Sequence, residues 1–423
     1  MKFTPVEQFP VDRFSLWQED YRGFSCQLAG NPLYPWFCLV AALDQVRVPS
    51  KSEVQRFAHW LPAGQRRAVS DGLLKAGVEQ PRKLGLKEAL DLEEYFLEST
   101  WVKANLPFPT DWGLLRDGVR TLMKATWLIR KAGLRGRMEA PEPFLRRMNR
   151  LSLAMSQQAR RAGRKKGRKR VLRQMKRLVG VVRAHARRHR DLLDQQWERT
   201  EWTRAQAEQI LRRIDGVLAL LPRAQKQAHE RIIGGRPVAN DQKILSLYDR
   251  EVRVIVRGKA GAEVEFGNTV LIGEHRQGLI LDYEFFRESA PADSQLLFGS
   301  LLRVWEATGH PVGAVVTDRG FASASNRRPL KEGGTFDGLC PRQPAELSRQ
   351  MKGKKFARLQ RRRAQTEARS GILKQGFLGR PMRAKGFDHR ELALAWGVLT
   401  PNLWMLARLR KPKKESRPLR RAA

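Results

Sequence analysis

The sequence predicts an α/β protein: a mixed sheet flanked by helices, preceded by a helical N-terminal domain and interrupted by a basic, all-helical insertion. Three observations carry that expectation. Short runs rich in β-branched, aromatic and apolar residues lie at 95–105 and again between 252 and 321, bounded by Gly and Pro. A long Arg- and Lys-rich block with helical periodicity separates them. The 81 Lys plus Arg outnumber the 43 Asp plus Glu, for a net charge of +38.

That charge bears on partner as well as fold. The length, 423 residues, suffices for two or three domains with cores of their own, and a hydrophobic content of 41% is ordinary for a globular protein. An excess of 38 positive charges is not ordinary, and a polyanionic partner is the simplest reason to tolerate the self-repulsion. The three cysteines, Cys26, Cys38 and Cys340, have neither CxxC spacing nor a nearby His cluster, which argues against a disulfide framework and a zinc site. The apolar stretch from Phe37 to Leu43 is far too short for a membrane span, and the first residues lack a signal-peptide pattern. The expectation is a cytoplasmic protein associated with the chromosome, with no membrane partner.

Residues 1–92 are expected to form the helical N-terminal domain. Glu53 to Trp60 and a second run ending near Leu74 flank Leu61-Pro62-Ala63-Gly64. Two short helices around such a turn fit either a DNA-reading helix-turn-helix or a plain helical hairpin. The first part of the sheet domain is expected at 93–134. Tyr95 to Asn105 reads as a strand, ended by Pro107 and Pro109, and Leu114, Leu115, Val119, Leu122 and Met123 then take helical spacing.

The basic insertion spans 135–232. Between Arg160 and Arg190, 15 of 31 residues are Lys or Arg and none is Asp or Glu. Val171, Leu172, Met175, Leu178, Val179 and Val182 recur through that run at helical spacing, so one face can pack while the others stay charged. A solvated helix face usually mixes signs, so this one is expected to bind DNA backbone through Arg164, Lys165, Lys166, Arg168, Lys169, Arg170 and Arg173.

The remainder of the sheet domain is expected at 233–410. Val252–Val256, Val264–Ile272 and Gly278–Phe285 alternate as an antiparallel meander, and a helix over Asp293–Thr308 leads to the apolar run Val312–Thr317. That run reads as a buried parallel strand, whose carboxyl end is where ligands of such sheets gather, and Asp318 stands there. Two helices follow, about 344–376 and 390–409, then a basic tail at 411–423 expected to be disordered.

Glu367, forty-nine residues after Asp318, stands on the first of those helices with Gln360, Arg363 and Lys374. Arg363 and Glu367 lie one turn apart and Lys374 two turns further, so all three can share a groove. Spacing alone equally permits a helix-face ladder of salt bridges. His310 and His389 read as surface or loop residues, and Trp396 and Trp404 as core.

At these residues the chain resembles the DDE transposases of bacterial insertion sequences, whose RNase H-like core ends in a Tyr-x2-Arg-x3-Glu-x6-Lys helix. Gln360 stands where that pattern has Tyr. Thr317-Asp318-Arg319-Gly320-Phe321 resembles the segment with the second acid, and Ala395 to Leu403 the closing helix. The resemblance spans roughly 94–409. It implies an RNase H-like sheet, with a first acid on or just after the first strand. Glu98 suits by strand position and Asp111 by residue type, and the sequence leaves both open.

The resemblance further implies catalytic, metal-holding carboxylates at Asp318, Glu367 and either Glu98 or Asp111. Mg²⁺ is the expected ion and Mn²⁺ its substitute, with Arg363 and Lys374 on phosphates. The implied partners are double-stranded DNA, as element terminal repeats and as target, and a second copy of the chain, since two ends must meet. An RNase H-like nuclease that cuts without joining, and an inactive DNA-binding remnant, are the competing readings.

Overall fold

The structure is a computed structural model that describes residues 21–30, 41–42, 45–46, 48–61, 63–158, 164–256 and 264–409. The expected disordered tail and most of the Phe37–Leu43 stretch lie outside the described residues. The fold is mixed α/β and mostly helical, with a six-stranded mixed sheet flanked by helices. It divides into two compact units, one from Met1–Ala104 with Asn268–Ala423, the other from Asn105–Gly267.

In chain order the strands of the sheet are β1 (Tyr95–Lys103), β2 (Arg253–Val256), β3 (Val264–His275), β4 (Ile280–Phe285), β5 (Ala314–Thr317) and β6 (Phe336–Leu339), ordered β2-β3-β1-β5-β6 with β4 also on β3. β3 pairs antiparallel with both β2 and β4, which is the expected meander. β5 is fully buried and runs parallel to β1 and β6. Leu97 is the register partner of Thr317, so β5 ends beside the middle of β1, which runs on to Lys103. β6 was not legible as a strand, because it is four residues long and its sequence, Phe-Asp-Gly-Leu, carries turn-forming types.

Alternation along β1 assigns its two faces. Tyr95 and Leu97 pack with Val315 against Leu296, Leu297 and Val304 of a helix at Asp293–Thr308. Phe96 packs with Ala314 and Val316 against Leu359 of a helix at Lys354–Ile372. Further along that second face, Val102, Val270 and Ile272 meet Leu394 and Val398 of the closing helix, Phe387–Leu409. That closing helix is long and apolar enough to cross a membrane; Leu394 and Val398 go into the core, while Leu403 is exposed.

The 344–376 helix is broken. It consists of Pro344–Gln350, a turn through Gly353, Lys354–Ile372, and a π-helical turn at Leu373–Leu378. The chain between 51 and 79 forms Lys51–Trp60, closed at its start by a Ser50/Glu53 capping box, and Ala63–Glu79. The expectation of a separate N-terminal domain is corrected here. Leu74 sits in the same core as Leu297 and Val304, and Arg67 donates to the buried Asp282, so the second helix is part of the sheet unit.

The boundaries of the insertion are corrected too. In chain order the second unit holds α1 (Asp111–Lys131), α2 (Pro141–Gln158), α3 (Arg164–Gln196) and α4 (Arg204–Ala228). Leu115, Val119, Leu122 and Met123 of α1 share one core with Met148, Met155, Leu172, Met175, Val179, Ile214 and Leu221. The helix after the first strand is thus the first helix of this bundle, and the second unit opens at Asn105 and not at 135. Apolar periodicity identifies a packing face but not the partner that covers it.

Candidate active site

The site is built from β1, the end of β5 and the Lys354–Ile372 helix. Glu98 has the parity of Phe96 on β1, so it projects to the face that this helix covers. Asp318 follows Thr317 directly, and its Oδ1 accepts the backbone N–H of Gly320 at 2.9 Å. That contact holds the carboxylate at the mouth of the strand.

Three side chains rivet the helix to the sheet. Arg362 donates to Glu274 Oε1 at 2.8 Å and to the carbonyl of Arg276 at 2.6 Å, and Arg369 donates to the same Glu274 oxygen at 2.6 Å. The Arg362 guanidinium also stacks 4.5 Å from the Phe96 ring centroid. Gln360, in the tyrosine position of the resembled pattern, donates to the carbonyl of Gly338 at 2.7 Å. Its amide therefore ties the helix to the end of β6, a task that requires no aromatic ring.

Held this way, the helix directs Arg363 and Glu367 toward Glu98. Arg363 Nη1 donates to Glu367 Oε1 at 2.7 Å, while Lys374 Nζ donates to Thr100 Oγ1 at 2.8 Å and lies 5.2 Å from the Trp101 ring centroid. Lys374 stands on the π-helical turn, which changes the angle at which residues beyond Leu373 leave the helix. Such a turn is frequent at functional sites, and ideal α-helical spacing does not anticipate it.

The electrostatics follow from this crowding. Burial pushes the Glu98 carboxyl up to about 7, and the Glu367 and Asp318 carboxylates push the same way, against Arg363 and Lys374. Glu98 Oε2 and Arg363 Nε are both buried without a hydrogen-bond partner. The Glu98 oxygen is a group that a cation could satisfy, and the Arg363 N–H one that a phosphate could satisfy.

Asp293, at the start of its helix, escaped the sequence reading. Its carboxyl accepts a hydrogen bond from Ser99, and it is raised by burial and by Asp318. A methyl group at Gly320 would run into the Asp293 carboxylate and crowd that of Asp318 at 3.1 Å. The only sequence signal was a helix-starting Asp, a common capping choice.

Asp111, the alternative first acid, lies in the second unit. Its Oδ2 is 3.0 Å from Arg231 Nη1, and its Oδ1 accepts from Gln227 Nε2 at 2.9 Å. The carboxylate is buried and pins the start of α1 to the segment after α4. The structure brings together Glu98, Asp318, Glu367, Arg363 and Lys374, and gives Asp111 partners of its own.

Among the described residues no three His, Cys, Asp or Glu side chains form a ready metal cage. The donor set still suits Mg²⁺, which takes carboxylate oxygens, keeps waters and is rarely caged by protein alone. Mutual repulsion among Glu98, Glu367 and Asp318 is the property a divalent cation relieves.

The basic residues are divided. Lys165, Lys166, Arg170 and Arg173 are exposed on α3, which opens at Arg164. Arg168 instead turns inward, its guanidinium 5.7 Å from the Trp112 ring centroid and its Nε buried, and Lys169 is half-buried. His310 and His389 are exposed, His389 meeting His59 at 3.1 Å. Trp396 and Trp404 are half-buried, and Trp396 stacks on the exposed Phe57.

A concavity of about 590 Å³ in the helical unit, lined by Leu128, Trp202, Gln206, Gln209, Ile210 and Arg213, holds no acid. No family model matches the chain, and no curated protein or solved structure is significantly similar to it.

Proposed function

We propose that the chain is a DNA transposase of the DDE type, with an RNase H-like core, that cleaves the ends of its element and joins them to target DNA. The observation that carries this reading is the convergence of three acids and two cations, distant in sequence, beside the carboxyl end of β5 and the middle of the parallel strand β1. The raised Glu98 carboxyl reports that convergence. A helix-face ladder would bring Arg363, Glu367 and Lys374 together but would not add Glu98 and Asp318.

Glu98, Asp318 and Glu367 would hold Mg²⁺, which when bound supplies charge stabilisation for in-line displacement at phosphorus. The chain's own groups do the rest. Glu98 must give up its proton before it can act as a ligand. Arg363 must leave Glu367, and its forked donors then suit a phosphate. Lys374, beside Thr100, presents a point charge to the same strand. Glu98 is the buried member of the set, so its charge is worth more there than in water, while Glu367 faces solvent.

Joining repeats the displacement with a 3′-hydroxyl as nucleophile. Two element ends must then be held together, which favours a homodimer on DNA acting at the chromosome in the cytoplasm. The test is an in vitro reaction with Mg²⁺ on DNA carrying the element's terminal repeats. Joined products from wild type and none from Asp318→Asn support the proposal. Cleavage without joining would make the chain a nuclease, and DNA binding alone a remnant without activity.

A further inference from the structure

We infer that the antiparallel pair α2 and α3 forms a phosphate-binding comb for the backbone of duplex DNA, which adds Arg177 of α3 and Arg146, Arg147 and Arg150 of α2 to the cations already named. From Pro143 to Arg190 the sequence has 18 Lys or Arg and no Asp or Glu. The fold brings that acid-free stretch into two neighbouring helices. Gly167 lies against the Gln158 side chain, and Phe144 meets His185 with ring centroids 5.5 Å apart. Those two contacts set the register and bring Arg150 level with Arg177.

The exposed positions follow helical spacing. On α3, Lys166, Arg170, Arg173 and Arg177 are exposed at intervals of four, three and four residues, and on α2 Arg146, Arg147 and Arg150 are exposed. The four α3 positions span about 16 Å of helix axis, over which one DNA strand presents about five phosphates. Among the described residues none of these seven cations has an acid within ion-pair distance. At the end of the stretch the pattern changes: its last residue, Arg190, pairs with Asp194 at 2.7 Å and with Asp215 at 3.1 Å, and beyond it Arg204 pairs with Glu208. The acid-free cationic surface is therefore concentrated on one pair of helices.

Duplex DNA is favoured over an anionic membrane because most apolar residues of both helices are committed to the bundle core, with Leu153 and Val181 exposed singly. Met148, Met155, Leu172, Met175, Val179 and Val182 are all buried there. A helix that lies on a membrane needs that face outward.

The inference rests on the proposed DNA substrate, but its test does not require cleavage. Full-length Asp318→Asn protein without divalent metal would be titrated with a labelled duplex of arbitrary sequence between 50 and 300 mM NaCl. Two triple variants would be compared with it, Arg146→Gln/Arg147→Gln/Arg150→Gln and Arg170→Gln/Arg173→Gln/Arg177→Gln, with Arg204→Gln as control. The slope of log affinity against log salt should flatten by about 0.9 for each phosphate that is no longer neutralised, so by about two to three in each triple, and stay unchanged in the control.

Circular dichroism melting of each variant confirms that it is folded. Unchanged slopes in both folded triples would overturn the inference. So would binding to phosphatidylglycerol vesicles at affinities that duplex DNA does not reach. If the slopes flatten yet wild type cuts no DNA, the comb stands and the transposase reading fails; if wild type cuts and the slopes hold, the reverse is true.

Discussion

Arg363 Nη1 donates to Glu367 Oε1 at 2.7 Å, one helical turn away, while its Nε is buried with no partner. On the proposed reading the pair stands where a phosphate and a cation would meet, with Arg363 neutralising Glu367 until DNA binds. Arg363→Gln should lower the cleavage rate about 10²-fold, as loss of a charge-stabilising donor does. Its melting temperature should hardly move, because Glu367 is 54% exposed and such pairs contribute little. A rate within twofold of wild type would remove Arg363 from the site.

The Glu98 carboxyl is raised by burial and by two neighbouring carboxylates to about 7. A group whose folded value lies above its unfolded one favours the fold fully below the unfolded value and loses that contribution as pH rises through the folded one. Wild type should therefore lose stability relative to Glu98→Gln between pH 4.5 and about 7. The change should be on the order of 2 kcal/mol. Mn²⁺ affinity should show the opposite trend, rising over the same window because binding must displace the proton. Melting curves for both proteins across this range test the first statement, and calorimetric titration the second. Parallel pH profiles would mean that Glu98 titrates normally.

Asp111→Asn should be a stability variant. It weakens the contact with Arg231 and turns the buried carboxylate into an amide beside Gln227, a loss of about 1–3 kcal/mol by thermal melting. Cleavage per folded molecule should be retained.

Gly320→Ala places a methyl group against the Asp293 and Asp318 carboxylates. Cleavage should fall at least tenfold, with a modest change in melting temperature, since the displaced groups lie at the site and not in the core. Full activity would show that this corner yields without moving Asp318.

Much of this arrangement was legible in sequence because it rests on short-range rules. The apolar run before Asp318, the alternation around Val264 to Phe285 and the acid-free stretch each state a local preference, and each became a strand or a helix. The choice between Glu98 and Asp111 was not local. It depends on parity along β1 and on a helix more than 250 residues later, and on Arg231 and Gln227 reaching Asp111. Arg168 was misleading for a related reason: a cation within a basic run need not face outward when Trp112 offers a ring. The place of the helix after β1 was hidden because its apolar face would suit a sheet as well as a bundle.

The most direct measurement is single-turnover cleavage of end-containing duplex with Mg²⁺ by wild type, Glu98→Gln, Asp318→Asn, Glu367→Gln and Asp111→Asn, each checked for folding. The account predicts that the three site variants each fall by about 10³-fold or more while Asp111→Asn cuts at close to the wild-type rate. Equal cleavage by all five, or loss in Asp111→Asn with retention in Glu98→Gln, would contradict it.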